Sequence, residues 1–275
     1  LMWGCFPIYW ALLNHVNPSE VLVHRMLWSV PVLFFLVYSK TSWRLNFKES
    51  LSSKKELVFL FITAILITIN WGGYILAVNL GRVVEASMGY FLSPVINMIG
   101  GYVFFHERIS KLKQLAVLFA TVGALFYVFS GDSFPWLGFL VGFTFSAYGI
   151  ARKAMSSSAV PGLYIETLIL LPFFLVFSIW FYSNFDIAFL NVDISTDILL
   201  FLAGAVTVVP LALFNAGAKL LPMTTVGILF LITPTLQFLV GYYLQNEAVN
   251  SNQLIGFVGV WAGLIMYSYG LIKEK

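Results

Sequence analysis

Apolar residues run along this chain in ten stretches, approximately 1–13, 18–39, 57–79, 83–105, 114–130, 135–152, 162–183, 197–218, 222–244 and 253–272. A bilayer span needs about 20 apolar residues, within a range of roughly 17 to 25. Most stretches meet that length. The fifth and sixth sit at the short end, and the first is shorter still. The first stretch opens at Leu1 rather than at a methionine, so the first turns of its helix are expected to precede residue 1. The breaks are brief and carry turn signals at Asn17-Pro18, Gly131-Asp132, Pro161-Gly162 and Leu221-Pro222. The pattern predicts an all-α integral membrane protein with ten transmembrane helices.

Polar positions inside the stretches are patterned too. Ser87, Tyr90, Ser93 and Asn97 recur at steps of three or four, which places them on one face of a helix. Pro94 lies near the middle of that segment, where it frees a backbone carbonyl and bends the helix. A lipid-facing helix gains nothing from a polar stripe and a kink, whereas a helix lining a wet cavity uses both. The same pattern returns without a gap in the second half of the chain. Pro94 falls on Pro234, Gly101 on Gly241, Tyr102 on Tyr242, Glu107 on Glu247, Ser93 on Thr233 and Asn97 on Gln237. The register continues with Gly123 on Gly263 and Tyr127 on Tyr267, so one constant repeat offset relates every pair. We read an internal duplication, with repeats over 1–131 and 132–275. Each repeat holds five spans. An odd number inserts the second repeat in the opposite sense, which gives inverted-topology repeats about a pseudo-two-fold axis in the membrane plane.

Composition sharpens this picture. Hydrophobic residues make up 60% of the chain and charged residues 10%, against roughly 25% charged in soluble domains. A sizeable soluble domain is excluded. The single Cys5 excludes an intrachain disulfide framework. No cleavable signal peptide is expected, because the chain opens directly in an apolar segment. The net charge of +3 serves topology rather than nucleic-acid binding. With both termini placed in the cytoplasm, the inner segments hold 13 of the 15 lysines and arginines, and the acidic stretch 184–197 falls outside. Arg25 and Arg82 alone escape this rule, and an intramembrane basic residue that topology does not explain is a functional candidate.

Arg25 lies roughly 10 Å below the outer surface by its position in the second helix, and Glu166 roughly 8 Å above the inner one in the seventh. The repeat offset sets Arg25 beside Ile165, one residue from Glu166. These two are expected to anchor two gates. Arg25 would pair with Glu85 or Glu20 when the outer side is closed, and Glu166 with Arg152 or Lys153 when the inner side is closed. Against this stand snorkelling of Arg25 to the interface and dipole stabilisation of a helix start by Glu166 and by Glu85. His24 is expected to be a packed histidine. Asn70, Trp71, Tyr74, Tyr90, Ser93 and Asn97, with Asn79 at the outer helix end, are expected to line a substrate cavity. Asn215, Thr207, Thr233 and Gln237 are their counterparts in the second repeat. The competing reading is interhelical hydrogen bonding, worth roughly 0.6 kcal/mol per bond. Gly100, Gly101, Gly123, Gly256, Gly259 and Gly263 are expected to permit close helix packing.

The runs NWGGYILAVN (Asn70–Asn79) and VVEASMGYFLSP (Val83–Pro94) resemble RarD-type members of the EamA family, within the drug/metabolite transporter superfamily. HRMLW (His24–Trp28), YGIARK (Tyr148–Lys153), GLYIETLILLP around Glu166 and GILFLITPTLQF are similar to the same group. The resemblance covers nearly the whole chain. It implies ten helices, cytoplasmic termini in a bacterial inner membrane, and carriage of small metabolites or drugs, often outward. RarD proteins take their name from chloramphenicol sensitivity. The resemblance also implies a Gln-Tyr pair where this chain has Leu229-Phe230.

The leading expectation is therefore a secondary active transporter of a neutral or aromatic amino acid-like compound or an amphenicol. Its partners would be that solute, the bilayer and a coupling proton, with no nucleic acid, no cofactor and no metal, in a monomer or homodimer. No GxxxxGK[ST] loop is present to hydrolyse a nucleotide. An intramembrane enzyme is the reading from another class. His106-Glu107 opens like HExxH but continues Arg108-Ile109-Ser110, so the second metal ligand is missing. A passive channel is the third.

Overall fold

The structure, a computed structural model, describes residues 1–80, 89–129, 136–244 and 251–273. Of the residues singled out by the sequence, Arg82, Glu85, Ser87 and Glu247 lie outside the described residues, as do the side chains of Asn79, Tyr127, Gly241 and Tyr242.

Every regular element among the described residues is helical. A 3-10 turn, Met2–Cys5, leads into α1 (Phe6–Ala11). There follow α2 (Pro18–Ser39), α3 (Thr41–Ser52) and α4 (Lys54–Asn79). A second 3-10 turn, Gly89–Leu92, leads into α5 (Ser93–Phe105). Next come α6 (Lys111–Phe129), α7 (Trp136–Ala154), α8 (Ala159–Asn184) and α9 (Ile194–Leu220). The chain closes with α10 (Met223–Phe230), α11 (Ile232–Leu244) and α12 (Ser251–Lys273). Six described segments are long and apolar enough to cross a membrane: Pro18–Ser39, Lys54–Tyr74, Ala159–Asn184, Ile194–Leu220, Met223–Val240 and Leu254–Lys273. Gly89–Phe105 is a shorter apolar helix. Among the described residues, helix stands within each of the ten apolar stretches. The basic stretch after α2, outside the ten apolar stretches, forms α3, which packs Phe47 against Leu60, Met155 and Ile165.

Local chemistry sets several boundaries. Pro18 opens α2 where its missing N–H costs nothing, and the Asn17 side chain accepts the Ser19 N–H at 2.9 Å. The prolines at the centre of the two duplicated segments stand in the first turn of a helix, where Pro94 was expected to bend one from within. Pro94 follows the 3-10 turn at the start of α5, and Pro234 follows the interruption at Leu231 between α10 and α11.

The chain forms two compact units. The first comprises Leu1–Pro7, Ile67–Ile150 and Leu220–Lys275; the second comprises Ile8–Leu66 and Ala151–Lys219. Neither unit is one half of the sequence, since each draws helices from both halves.

In the first unit α6 packs along α12, and the contact is reciprocal. A Cβ on Gly123 would sit 2.6 Å from the Gly256 carbonyl oxygen and 2.7 Å from the Val260 nitrogen. A Cβ on Gly263 would sit 2.5 Å from the Ala116 oxygen and 2.6 Å from the Ala120 nitrogen. The repeat offset converts each of these contacts into the other. The core behind them gathers Phe91, Val117, Leu231 and Phe257.

In the second unit α2 packs along α8. These helices start at Pro18 and Ala159 and carry internal prolines at Pro31 and Pro172, so their own register is longer than the repeat offset by one position. That register places Arg25 and Glu166 at equivalent positions.

Candidate functional site

The first unit holds a cluster of aromatic rings and four buried polar atoms without a hydrogen-bond partner among the described residues. Gly89 lies against Gly138 and Gly142, and Gly100 against Ile150, so α5 runs alongside α7. Gly227 of α10 lies against Pro94 and Asn97. The N-terminal turn packs Gly4 on Leu236 of α11. These contacts bring Trp3, Tyr90, Phe145 and Phe230 together. The Phe145 and Phe230 rings stack with centroids 5.0 Å apart. Tyr90 meets Phe145 at 5.9 Å and Phe230 at 5.4 Å, edge-on in both cases. Trp3 meets each phenylalanine at 5.5 Å. Tyr90 falls on Phe230 at the repeat offset, so two equivalent rings touch each other.

In the same unit, Ser93 Oγ, Asn97 Oδ1, Ser146 Oγ and Gln237 Oε1 are buried without a hydrogen-bond partner among the described residues. Ser93 and Ser146 are each 1% exposed and Asn97 3%. Leaving such a group unsatisfied costs about 1–3 kcal/mol. Four in one unit is a heavy load for a purely structural core, and such groups call for a further role.

The other expected lining residues differ. Asn70 is buried and donates its Nδ2 to the Val141 carbonyl at 2.7 Å and to Thr144 Oγ1 at 3.2 Å, which ties α4 to α7. Tyr74 packs on Ala77, Leu137 and Val141, and Trp71 is half-buried beside Asn70. Thr233 is buried on α11 in the same unit. Asn215 and Thr207 stand in the second unit on α9.

The second unit carries the charged candidates. Arg152, at the end of α7, and Glu166, on α8, are both essentially buried, with 3.6 Å between Nη1 and Oε1. Thr63 of α4 donates to the same carboxylate oxygen. The guanidinium also donates from Nη2 to the carbonyls of Ser158 (3.2 Å) and Ala159 (3.1 Å), and it rests on Gly162, where any Cβ would collide with it. Arg25, half-buried, donates Nε to Thr207 Oγ1 at 3.0 Å and lies 5.1 Å from the Trp10 ring centroid. The two charged positions are thus each met by a threonine on the equivalent helix of the other half, α9 for Arg25 and α4 for Glu166.

Glu20, one of the two expected partners of Arg25, accepts the N–H groups of Ala188 and Phe189 at 2.9–3.0 Å. His24 is packed, as expected. Trp28 Nε1 donates to its Nδ1 at 3.0 Å, which leaves Nε2 to donate to the Tyr182 hydroxyl at 3.1 Å. The Glu107 carboxylate accepts the N–H groups of Met223 and Thr224 at the start of α10, where the helix dipole favours a negative charge.

Trp3, Phe145 and Ser146 were not singled out by the sequence, and Phe230 was named only as a departure from the Gln-Tyr pair that the resemblance implies. Aromatic residues make up 17% of the chain, so a ring alone is no signal. The usable signal was the repeat offset itself, which pairs Phe230 with Tyr90.

The model of the EamA-like transporter family matches residues 1–129 and again 134–269. The chain is 36% identical to the uncharacterized transporter YojE of Bacillus subtilis, over all of this chain and 92% of that one. It is 33% identical to protein RarD of Escherichia coli, over 97% of this chain and 90% of that one. It is 30% identical to the chloramphenicol-sensitive protein RarD of Pseudomonas aeruginosa, over 94% and 87% respectively. A crystal structure only 15% identical superposes with a TM-score of 0.73 over 98% of this chain and 94% of its own, which is a likeness of fold.

Proposed function

The chain belongs to the EamA-like transporter family, and from that membership we propose that it is a secondary active transporter working by alternating access between two inverted five-helix repeats. The observation that carries this reading is the contact between Tyr90 and Phe230. Equivalent residues of two repeats touch only where the axis relating them passes. A site on that axis is equally related to both repeats, so exchanging their conformations turns it from one side of the membrane to the other. The reciprocal glycine packing of α6 and α12 and the double family match support the same symmetry.

In this reading the ten helices span a bacterial inner membrane with both termini in the cytoplasm. The solute is a neutral or aromatic amino acid-like compound or an amphenicol, moved outward in exchange for protons. Arg25 anchors the outer gate. Arg152 and Glu166 form the inner lock. The test is counterflow in proteoliposomes with labelled neutral and aromatic amino acids and chloramphenicol, with Arg25→Gln alongside. Saturable accumulation of one solute, at least tenfold slower in Arg25→Gln, is expected. Ohmic currents, or no accumulation across a broad panel by folded protein, would overturn the carrier. Unchanged exchange by Arg25→Gln would overturn the outer gate alone.

A further inference from the structure

Between α2 and α4 the chain runs along a membrane surface. α3 joins two consecutive segments that are long and apolar enough to cross a bilayer, Pro18–Ser39 and Lys54–Tyr74, so it begins and ends on one side. Its 12 residues extend about 18 Å, short of the roughly 30 Å hydrocarbon core, so α3 lies at that surface. One face of α3 holds it to α8 and α2. Ser50 is buried there, the Phe47 ring lies 5.3 Å from that of Tyr164, and Asn46 Oδ1 accepts the Ser158 N–H at 2.7 Å.

Another flank of α3 is basic. Lys40, Arg44 and Lys48 follow one another at steps of four, which sets them along one flank, and all three are exposed. Among the described residues none of them has a carboxylate within ion-pair distance. The Lys40 ammonium lies 4.4 Å from the Trp43 ring centroid, and Arg44 Nη2 donates to the Thr41 hydroxyl at 3.1 Å. Of the acids nearby, Glu56 is buried and spent on the N–H groups of Ser156 and Ser157 at 3.0 Å, and Glu49 stands about 100° round the helix from Lys48. The spans at both ends of α3 turn apolar side chains outward right up to it. On α4 the exposed Val58, Ile62 and Ile65 continue, at steps of three and four, the face that the exposed Lys55 opens. On α2 Phe34, Phe35 and Tyr38 are exposed shortly before Lys40. Outward apolar stripes on a span face acyl chains, so the basic groups at their ends stand level with the lipid headgroups, where a tyrosine such as Tyr38 is also at home.

We propose that Lys40, Arg44 and Lys48 along α3, with Lys55 at the head of α4, form a docking surface for anionic phospholipid headgroups. The acyl chains of those lipids lie along the exposed stripes of α2 and α4. Four basic residues crowded beside a span, with no acid of the protein to neutralise them, attract anionic lipid through charge, and the attraction fades as salt screens it. The proposal needs only that α2 and α4 cross the bilayer, so it does not depend on the carrier reading.

The test places the purified full chain in nanodiscs of phosphatidylcholine, alone or mixed with phosphatidylglycerol, and reads hydrogen exchange of the α3 amides. Phosphatidylglycerol is expected to slow that exchange severalfold, and high salt to restore it. Inorganic phosphate added to phosphatidylcholine discs is expected to leave it unchanged. The combined Lys40→Gln, Arg44→Gln, Lys48→Gln chain is expected to lose the response to phosphatidylglycerol while exchanging like the parent chain in phosphatidylcholine, since no ion pair within the protein is broken. Lys111→Gln with Lys273→Gln, which removes positive charge elsewhere, is expected to keep the response. Equal exchange of the parent chain in the two lipids, a triple variant that still responds, a Lys111→Gln, Lys273→Gln chain that does not, or a full effect from inorganic phosphate would each overturn the proposal. Should the triple variant prove unstable in phosphatidylcholine, Lys40→Arg with Lys48→Arg decides: a retained response upholds the surface, and a lost one overturns it.

Discussion

The two units differ in which buried polar atoms lack partners, among them the guanidinium Nε of Arg152 in the second unit and four uncharged side-chain atoms in the first. In the second unit the buried carboxylates and the buried imidazole have their partners in place. Glu166 is held by Arg152 and Thr63, Glu20 by two backbone N–H groups, and His24 by Trp28 and Tyr182. In the first unit four uncharged polar atoms are buried with no partner among the described residues. A membrane protein gains little from burying polar side chains unless they are paired or used. The pairing of the second unit is a matter of holding helices together.

The contrast is open to attack by mutation, and the largest effect is expected at the ion pair. Glu166→Leu leaves the Arg152 guanidinium buried without its counter-charge and should cost about 3–5 kcal/mol. The doubly substituted Arg152→Met, Glu166→Leu chain should recover most of that loss in thermal or denaturant unfolding in detergent. A double variant as unstable as the single one would mean that the pair does more than neutralise itself. Next is Glu20→Ala, which strands the N–H groups of Ala188 and Phe189. A loss of about 1.5–3 kcal/mol is expected, with hydrogen exchange at those two amides rising first. The smallest change carries the opposite sign. Ser146→Ala in the first unit should stabilise the fold by up to about 1 kcal/mol, because nothing is lost but an unsatisfied hydroxyl. Destabilisation by Ser146→Ala would erase the distinction between the units.

Much of the architecture could be read from the chain because it is written in periodicity. The apolar stretches, the prolines and the repeat offset all act locally, along one helix at a time. The packed histidine was legible as well, since it stands within an apolar span beside an arginine that already carries the charge there. The site was legible only in part. Ser93, Asn97 and Gln237 stood out as polar residues on an apolar helix, but so did Asn70, whose amide is spent on α7. Which amide is free depends on the helix packed against it, and no helix carries that information alone. Phe145 and Ser146 were invisible for a related reason. The offset takes them to Cys5 and Phe6, so repetition does not mark them. The slip of one position between α2 and α8 left Arg25 one residue from Glu166 at the repeat offset, and the starts and internal prolines of those helices bring the two into register.

The packing of α6 on α12 has a consequence for the history of the chain. Each partner presents to the other the surface that the other presents to it, which is the defining property of an isologous dimer interface. Such a surface is self-complementary before any linker joins it. A five-helix ancestor bearing the α6 face could have met a second copy of itself through these same glycines. Fusion of two such copies would turn an association that depends on concentration into one that is always made, and would leave each half free to diverge, as at the position where one half has an arginine and the other a glutamate.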